Sequence, residues 1–529
     1  MSKAPWSHPL TERLDHLPKV RPTLNEAAKQ VRNRLRRFSA RSIVEHALTF
    51  LWAMRGKPAV EELRSWPWIT LLIVKLVLED EAVELDRGLV CAPEVFDRCR
   101  ETLWNAQGSR DRKEESSGGV YLMMRSLVQV QLQFQQQLSW GFMRWPALLA
   151  RLDSAHPSRR HFVERFGMEP DSFLCLSYAA HVPIATGSAA WSPEFLEPMR
   201  RRFGADVDRF VAEFAKDLPE LRAELLQARS MRLTEGPKSR PREELNEFPW
   251  LAKYPLLRTA NGSLVMWHPY VFTRGLEDAV HRRMSERRSD YASAFSKVFE
   301  AYVLELIELA GLSYLSEVEY KRQLSDAEKT VEAIFTDGEA NVLIEAKLTA
   351  HSDDVALSNR AGKVWTGFKR VREAMQQGWM VSSRLRSGLT PSWPCTRAVQ
   401  NFLIVVTSQP MLCATGEHFR RMFRHDVFDP EKLAARQATT PTLQQLELLP
   451  LANIVIASIE EFEHLMVAVR DGRIRLVPFL QEVASANADP RTSVMFLDQL
   501  IARYAAGGSP PPVIVQARER AEAVFRELL

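Results

Sequence analysis

Hydrophobic residues in the first part of the chain recur every three to four positions, which is the spacing of an amphipathic helix. The segment 24–52 shows this most clearly. Its apolar stripe contains Val31, Leu35 and Phe38, and arginine and lysine side chains line both sides of the stripe. The stretch 128–135 alternates as a strand would, but its neighbours are helical and we predict a helix there. The pattern predicts a mostly helical N-terminal half.

The pattern changes in the C-terminal half, where short apolar runs alternate with long amphipathic stretches. A helix is predicted over 291–310, ending at Gly311, and a second one over 358–379. Strand-like runs occur at 314–322, 330–335, 341–348, 401–408 and 452–458. The order of helix, three strands, helix, strand and later strand predicts an α/β core with helices packed on a mixed sheet.

Two polar stretches divide the chain. Residues 107–119 mix glycine, serine and charged residues without an apolar period, and residues 229–246 do the same with two prolines. We predict joints in both stretches. The resulting regions are a helical, basic one at 1–106, a second helical one at 119–230, and a third at 247–529 that holds the α/β core and further C-terminal helices. The sequence therefore predicts three domains.

The first region carries an excess of basic residues. Residues 1–50 contain ten lysines and arginines against four acidic residues. Arg32 and Arg36 lie beside the apolar stripe, and two interpretations are open: they cover the stripe and stay solvated, or they face the phosphates of a nucleic acid. A turn signal at 86–88 after two predicted helices indicates a hairpin. This pattern is typical of a winged helix and also of many small helical subdomains.

Composition narrows the class of protein. Of 529 residues, 46% are hydrophobic and 26% charged, as in soluble globular proteins, and the net charge of +4 permits an acidic partner without demanding one. Five cysteines without a Cys-x-x-Cys pair argue against a disulfide framework and a zinc ribbon. The N-terminus lacks an apolar signal core, and the longest apolar run is interrupted by Lys75 and too short to span a membrane, so we expect a cytoplasmic protein without membrane contact. The motifs of P-loop enzymes, zincins and α/β-hydrolases do not occur.

One short segment places charge in an otherwise apolar strand. Residues 331–348 read VEAIFTDGEANVLIEAKL, and the turn signal at 336–339 between two strand-like runs predicts a hairpin. Glu332 and Glu345 project from the same face of a hairpin whose loop has an even number of residues. Lys347 shares this face because side chains alternate along a strand. Two carboxylates and one ammonium group are therefore expected in one patch.

This combination suits the hydrolysis of phosphodiesters, in which a divalent ion neutralises phosphate oxygens and lowers the pKa of a bound water. Glu332 and Glu345 offer the hard oxygen ligands that suit Mg²⁺ or Mn²⁺, and Lys347 would stabilise charge on the phosphoryl group. Glu300, on the predicted helix before the hairpin, adds a third carboxylate. The competing interpretation is an ordinary solvent-facing pair of Glu and Lys on an antiparallel strand.

Residues 291–460 resemble the PD-(D/E)xK superfamily of restriction-endonuclease-like nucleases. In that superfamily a helix with an acidic residue leads into a hairpin whose second strand ends in Glu-x-Lys, followed by a helix and further strands. The matching pieces are AFSKVFEAYV, KTVEAIFTDGEANVLIEAKL and NFLIVVTS, with the helix around REAMQQGW between them. PLLRTANGSLVMWHPYVF resembles the segment before the first helix in bacterial defence-type nucleases. The superfamily usually has Asp at the position of Glu332; Asp337 is the competing candidate, but its place in the turn puts it far from Glu345.

The resemblance implies a restriction-endonuclease-like mixed-sheet core flanked by helices and an Mg²⁺-dependent endonuclease. The implied catalytic residues are Lys347, Glu345, Glu332 and Glu300, with Glu332 and Glu345 as the metal ligands. Arg372 and Gln376, on the helix after the hairpin, are implied to lie near the scissile phosphate; a solvated helix face is the alternative.

The resemblance also bears on the substrate and the biological role. It implies DNA rather than RNA as substrate, and defence against foreign DNA such as that of phage, together with a partner protein of a defence system. Two alternatives are open. One is a non-catalytic nucleic-acid-binding or scaffolding subunit with a degenerate nuclease fold, and the other is an RNA-cleaving toxin.

Overall fold

A computed structural model describes most of the chain. The described residues are 22–53, 66–107, 141–234, 253–285, 289–322, 330–349, 353–356, 358, 361–387, 400–423, 443–489, 491–505, 509–528 and a few positions between 121 and 134. The predicted joint at 107–119 lies outside them apart from its first residue, and the joint at 229–246 lies outside them beyond Thr234. No helix among the described residues is long and apolar enough to cross a membrane.

The described part of the chain is mostly helical, with two small sheets, and has an α/β fold. The helices are α1 (Leu24–Leu35), α2 (Ala40–Ala53), α3 (Pro67–Leu78), α4 (Pro93–Gln107), α5 (Gly141–Ala150), α6 (Pro157–Phe166), α7 (Pro170–Thr186), α8 (Pro193–Phe203), α9 (Ala205–Phe214), α10 (Leu218–Thr234), α11 (Pro269–Ser285), α12 (Ser289–Leu309), α13 (Glu317–Lys321), α14 (Asp353–Ala356), α15 (Ala361–Gly367), α16 (Lys369–Ser387), α17 (Gly416–Phe423), α18 (Leu443–Leu448), α19 (Ile459–Arg470), α20 (Leu476–Ala488), α21 (Asp498–Ala505) and α22 (Pro512–Leu528). The strands are β1 (Ala190–Trp191), β2 (Ala215–Lys216), β3 (Leu256–Arg258), β4 (Leu264–Met266), β5 (Tyr314–Ser316), β6 (Ala333–Thr336), β7 (Ala340–Lys347), β8 (Gln400–Thr407) and β9 (Ile454–Ser458). The prediction of a mostly helical N-terminal half is confirmed.

The chain divides into two compact units rather than the three predicted regions. The first unit comprises Met1–Glu114, Lys216–Trp250 and Leu257–Thr259, and the second comprises Glu115–Ala215, Leu251–Leu256 and Ala260–Leu529. Helices α5 and α7, from the predicted middle region, pack against α22 at the far end of the chain, and α5 also packs against α11. These long-range contacts place the middle region in the same unit as the α/β core.

In the first unit, the predicted apolar stripe is buried, but the predicted hairpin around residue 87 is wrong. The backbone there pairs with the turn between α1 and α2 instead: Ser39 N donates to Leu89 O at 3.0 Å. The first N–H groups of a helix lack partners within the helix, and this segment supplies acceptors at the start of α2. Gly88 permits the close approach, because its φ is +129° and a Cβ there would lie 2.8 Å from Ser39 N. The described residues of this unit therefore contain no wing.

The second unit contains a five-stranded sheet with the order β5-β6-β7-β8-β9. Strands β5, β6 and β7 are antiparallel, whereas β7, β8 and β9 run parallel. The predicted hairpin is confirmed, with Ala333 opposite Ile344 and Thr336 opposite Asn341. The predicted strands follow the long helix α12 in the expected order, but α13 lies between β5 and β6, and three helices rather than one lie between β7 and β8.

Two predicted elements of this unit have different bounds. The strand predicted at 314–322 ends at Ser316, because Ser316 and Glu319 form a capping box that starts α13. The helix predicted at 358–379 is two helices, α15 and α16, although its apolar stripe is buried as expected. Helix α16 packs on β7 and β8, and α12 packs against β7 and α19. Both α12 and α16 therefore pack against β7, the strand that carries Glu345 and Lys347.

Candidate active site

Three glutamates occupy one row across the antiparallel part of the sheet. Continued one residue beyond Ala333, the pairing places Glu332 opposite Glu345 on one side and opposite Glu317 on the other. A hydrogen bond from Glu317 N to Glu332 O, at 3.0 Å, shows that the pairing reaches this row. Residues directly opposite in an antiparallel pair have Cβ atoms about 4.5–5.5 Å apart. The sheet thus brings together the two predicted carboxylates and a third that the sequence did not indicate.

Lys347 completes this group as predicted. It lies two residues after Glu345 on β7, and its Nζ donates a hydrogen bond to Glu345 Oε1. The Glu345 side chain is only 1% exposed, and its other oxygen, Oε2, is buried without a hydrogen-bond partner among the described residues. A buried carboxylate oxygen without a donor is costly unless a cation reaches it. Glu345 therefore presents an oxygen suited to a cation.

The other two predicted carboxylates, Glu300 on α12 and Glu332, are partly buried. Neither side chain accepts a hydrogen bond from any residue that the structure describes. Burial, followed by the negative charges of Glu345, Glu300 and Glu317, raises the pKa of Glu332 to about 8. Burial raises the pKa of Glu345 to about 7, although Lys347 acts in the opposite direction. Crowded carboxylates in a poorly solvated site hold protons at neutral pH when no cation is bound.

Glu317 behaves differently from its neighbours. Burial favours its protonated form, but hydrogen bonds from Lys321 and Thr330 outweigh burial and lower its pKa. Sequence patterns missed this residue because 314–322 was predicted as one strand. The capping signal formed by Ser316 and Glu319 would have located the helix start and placed Glu317 at the end of β5.

The two residues predicted on the helix after the hairpin, Arg372 and Gln376, lie on α16. The guanidinium of Arg372 lies over the ring of Trp365, 4.2 Å from its centroid, and burial lowers its pKa. Gln376 is partly buried. Its neighbour Gln377 reaches the site instead, donating from Nε2 to Thr330 O at 2.9 Å. Contact of Arg372 and Gln376 with a phosphate stays a prediction.

The two arginines predicted on the basic helix make contacts inside the first unit. Arg36 Nε lies 2.9 Å from Oδ2 of Asp80, whose side chain is largely buried. Burial lowers the pKa of Arg32, whose Nε is buried without a hydrogen-bond partner among the described residues. These contacts agree with side chains that cover an apolar stripe. A role in binding nucleic acid stays a prediction for both.

The donor set at the glutamate row fits a divalent ion, although the side chains would have to move to bind one. Within the described part of the chain, no three acidic, histidine or cysteine side chains are already arranged to hold a metal ion. The ammonium of Lys347 lies against Glu345 and supplies positive charge there. Oε2 of Glu345 and the carboxylate of Glu332 are hard oxygen donors of the kind that Mg²⁺ prefers.

Comparison with known proteins gives no match to a family model, a curated protein or a solved structure. The resemblance to restriction-endonuclease-like nucleases therefore stays a prediction from the sequence.

Proposed function

We propose that this protein is a divalent-metal-dependent nuclease that hydrolyses phosphodiester bonds, with DNA as its substrate. The observation that carries the proposal is the buried Oε2 of Glu345, which has no hydrogen-bond partner among the described residues and lies in one row with Glu332 and beside Lys347. A surface pair of Glu and Lys on an ordinary strand would be solvated and would not leave a carboxylate oxygen buried without a donor. The order of helices and strands around the row supports the proposal, because it is the order that the resemblance implies.

Each residue of the row has a part in the proposed reaction. Glu345 and Glu332 would hold the ion, which would neutralise phosphate oxygens and lower the pKa of a bound water. Lys347 shares the face of Glu345, where its ammonium group would orient the attacking water and stabilise the charge that develops on the phosphoryl oxygens. Glu300 would accept a hydrogen bond from water at the edge of the site.

The substrate and the biological role are proposed from the resemblance. We propose DNA rather than RNA as the substrate. The proposed biological role is defence against foreign DNA, together with a partner protein. Arg372, Gln376, Arg32 and Arg36 are the proposed phosphate contacts. Phosphate contacts of this kind release counterions, so affinity for DNA should fall steeply as the salt concentration rises.

A plasmid assay tests the proposal. Supercoiled DNA incubated with the purified protein should be nicked or linearised in Mg²⁺ or Mn²⁺, and EDTA should stop the reaction because no protein side chain replaces the ion. DNA that is bound but remains intact with both ions would support the non-catalytic subunit instead. A parallel RNA substrate that is cut while DNA is not would support the toxin.

Metal binding should also strengthen as the pH rises from about 6 to about 8. The pKa values of Glu345 and Glu332 are about 7 and about 8, so an ion has to displace protons from both carboxylates at the lower pH. The increase in melting temperature caused by Mn²⁺ should therefore be larger at about pH 8. An equal increase at both pH values would contradict this prediction, and Glu332→Gln should weaken the trend.

Without a metal ion, the stability of the protein should fall as the pH rises. The pKa of Glu332 is raised on folding from 4.5 to about 8, so the folded state binds more protons than the unfolded state between these values. The contribution of Glu332 to stability is therefore lost as the pH rises through this window. Adding Mn²⁺ at about pH 8 should restore it.

A further inference from the structure

Glu317 is a carboxylate beside the proposed ion for which the Glu-x-Lys pattern does not account. It is the first residue of α13, directly after β5, and its backbone N donates to Glu332 O. When the strand pairing is continued by one residue, Glu332 has an acidic residue opposite it on both sides, Glu345 on β7 and Glu317 directly after β5. Like charges directly opposite each other destabilise a sheet, so the row needs a positive charge to compensate it.

Two neighbouring side chains bind one carboxylate oxygen of Glu317. Lys321 Nζ lies 2.6 Å from Oε1, and the hydroxyl of Thr330 donates to the same atom. Thr330 is itself held by Gln377, which donates to its carbonyl from α16. Among the residues that the structure describes, Oε2 of Glu317 accepts no hydrogen bond. The carboxylate is thus ionised and positioned, with one oxygen available.

Among the residues that the structure describes, the carboxylates around the row outnumber the ammonium groups that face them. The carboxylates of Glu300, Glu317, Glu332 and Glu345 face the ammonium groups of Lys321 and Lys347. Two negative charges remain uncompensated when all six groups are ionised. The exposed Lys297 on α12 also interacts with Glu300, from outside the row. The buried Oε2 of Glu345 has no hydrogen-bond partner within the described part of the chain, and it marks where positive charge is missing there.

We propose that Glu317 is a further ligand of the divalent cation, and that Lys321 holds its carboxylate until the ion binds. The ion would lie above Glu332, where Glu317 and Glu345 can reach it from the two neighbouring strands. This inference rests on the proposed metal site, but ion binding can be measured without any nucleic acid. It predicts effects of opposite sign for the two partners, because Glu317 binds the ion and Lys321 competes with it.

Titration of the full-length protein with Mn²⁺ tests the proposal. Glu317→Gln should weaken Mn²⁺ binding by about 10–100-fold, the range seen when groups that support a metal site are removed. Lys321→Gln should strengthen binding severalfold, because the carboxylate is then free for the ion. Glu319→Gln is the matched control on the same helix, since glutamine at this position keeps the capping box, and its affinity should equal that of the wild type.

The outcomes separate this inference from the proposed function. If Glu317→Gln binds Mn²⁺ as the wild type does while Glu345→Gln does not, Glu317 only pairs with Lys321 and the inference fails, whereas the nuclease proposal stands. If Glu317→Gln weakens binding but the wild type cuts no nucleic acid, the inference stands and the nuclease proposal fails. A wild type that binds no Mn²⁺ overturns both.

Misfolding could imitate the loss of a ligand, so melting curves without metal accompany each titration. If Glu317→Gln does not fold, Lys321→Gln decides alone: tighter Mn²⁺ binding supports the inference, and unchanged or weaker binding overturns it. Both residues are partly exposed, at the two ends of a short helix, where a change of side chain removes little buried surface.

Discussion

Lys347→Ala should lower the rate of DNA cleavage by about 10²–10³-fold, the effect of removing one group that stabilises charge in a transition state. The ammonium of Lys347 is the positive group in direct contact with Glu345, and its side chain is largely buried. Removing it leaves Glu345 without a partner, but this carboxylate can take up a proton, because burial already raises its pKa to about 7. The variant should therefore fold at neutral pH while losing activity.

Glu345→Gln should lose both cleavage and Mn²⁺ binding, because the neutral amide is a poor ligand at the most buried position of the row. Its fold should be retained, since a neutral side chain is easier to bury than a carboxylate. Glu339→Gln is the control, because Glu339 is exposed in the turn of the same hairpin. Equal residual cutting by the wild type and by both site variants would indicate a contaminating nuclease and remove the support for the proposed function.

Arg144→Ala should lower the free energy of unfolding by about 3–5 kcal/mol, the cost of removing one partner of a buried ion pair. Arg144 on α5 is 1% exposed, and it donates to both oxygens of Glu463 on α19 at 2.6 and 2.7 Å. It also donates to Glu277 on α11 at 3.0 Å, and the hydroxyl of Tyr302 on α12 donates to Glu463. Without the guanidinium, Glu463 and Glu277 lose the buried cation that they share.

Chemical denaturation measures this loss, and the chain offers a matched control. Arg151 directly follows α5 and pairs with Glu305 on α12, but both side chains are about half exposed. Arg151→Ala should therefore change stability by less than about 1 kcal/mol. Replacing Arg144 and Glu463 together by methionine should recover part of the loss, because a hydrophobic pair avoids the cost of an unpaired charge. Equal effects of Arg144→Ala and Arg151→Ala would contradict the prediction.

Local patterns were sufficient for the centre of the site. Alternation along the strands and a turn at 336–339 predict that Glu332, Glu345 and Lys347 share one face, and the observed register brings them together. Both signals depend only on a few neighbouring residues, so they can be recognised without knowledge of the rest of the fold. The same patterns failed around residue 87, where the chain pairs with the start of α2 instead of forming a hairpin.

The sequence by itself determined that this protein has helices before an α/β core and that its β6–β7 hairpin carries two carboxylates and an ammonium group on one face, because periodicity and turn chemistry are local. Only the tertiary structure decided that Glu317 joins the row and that Arg144 meets Glu463, 319 residues away. It also decided which carboxylates lose water, and hence which pKa values rise. These features depend on contacts between segments that are distant in the sequence, and no local pattern predicts which side chains such contacts bury.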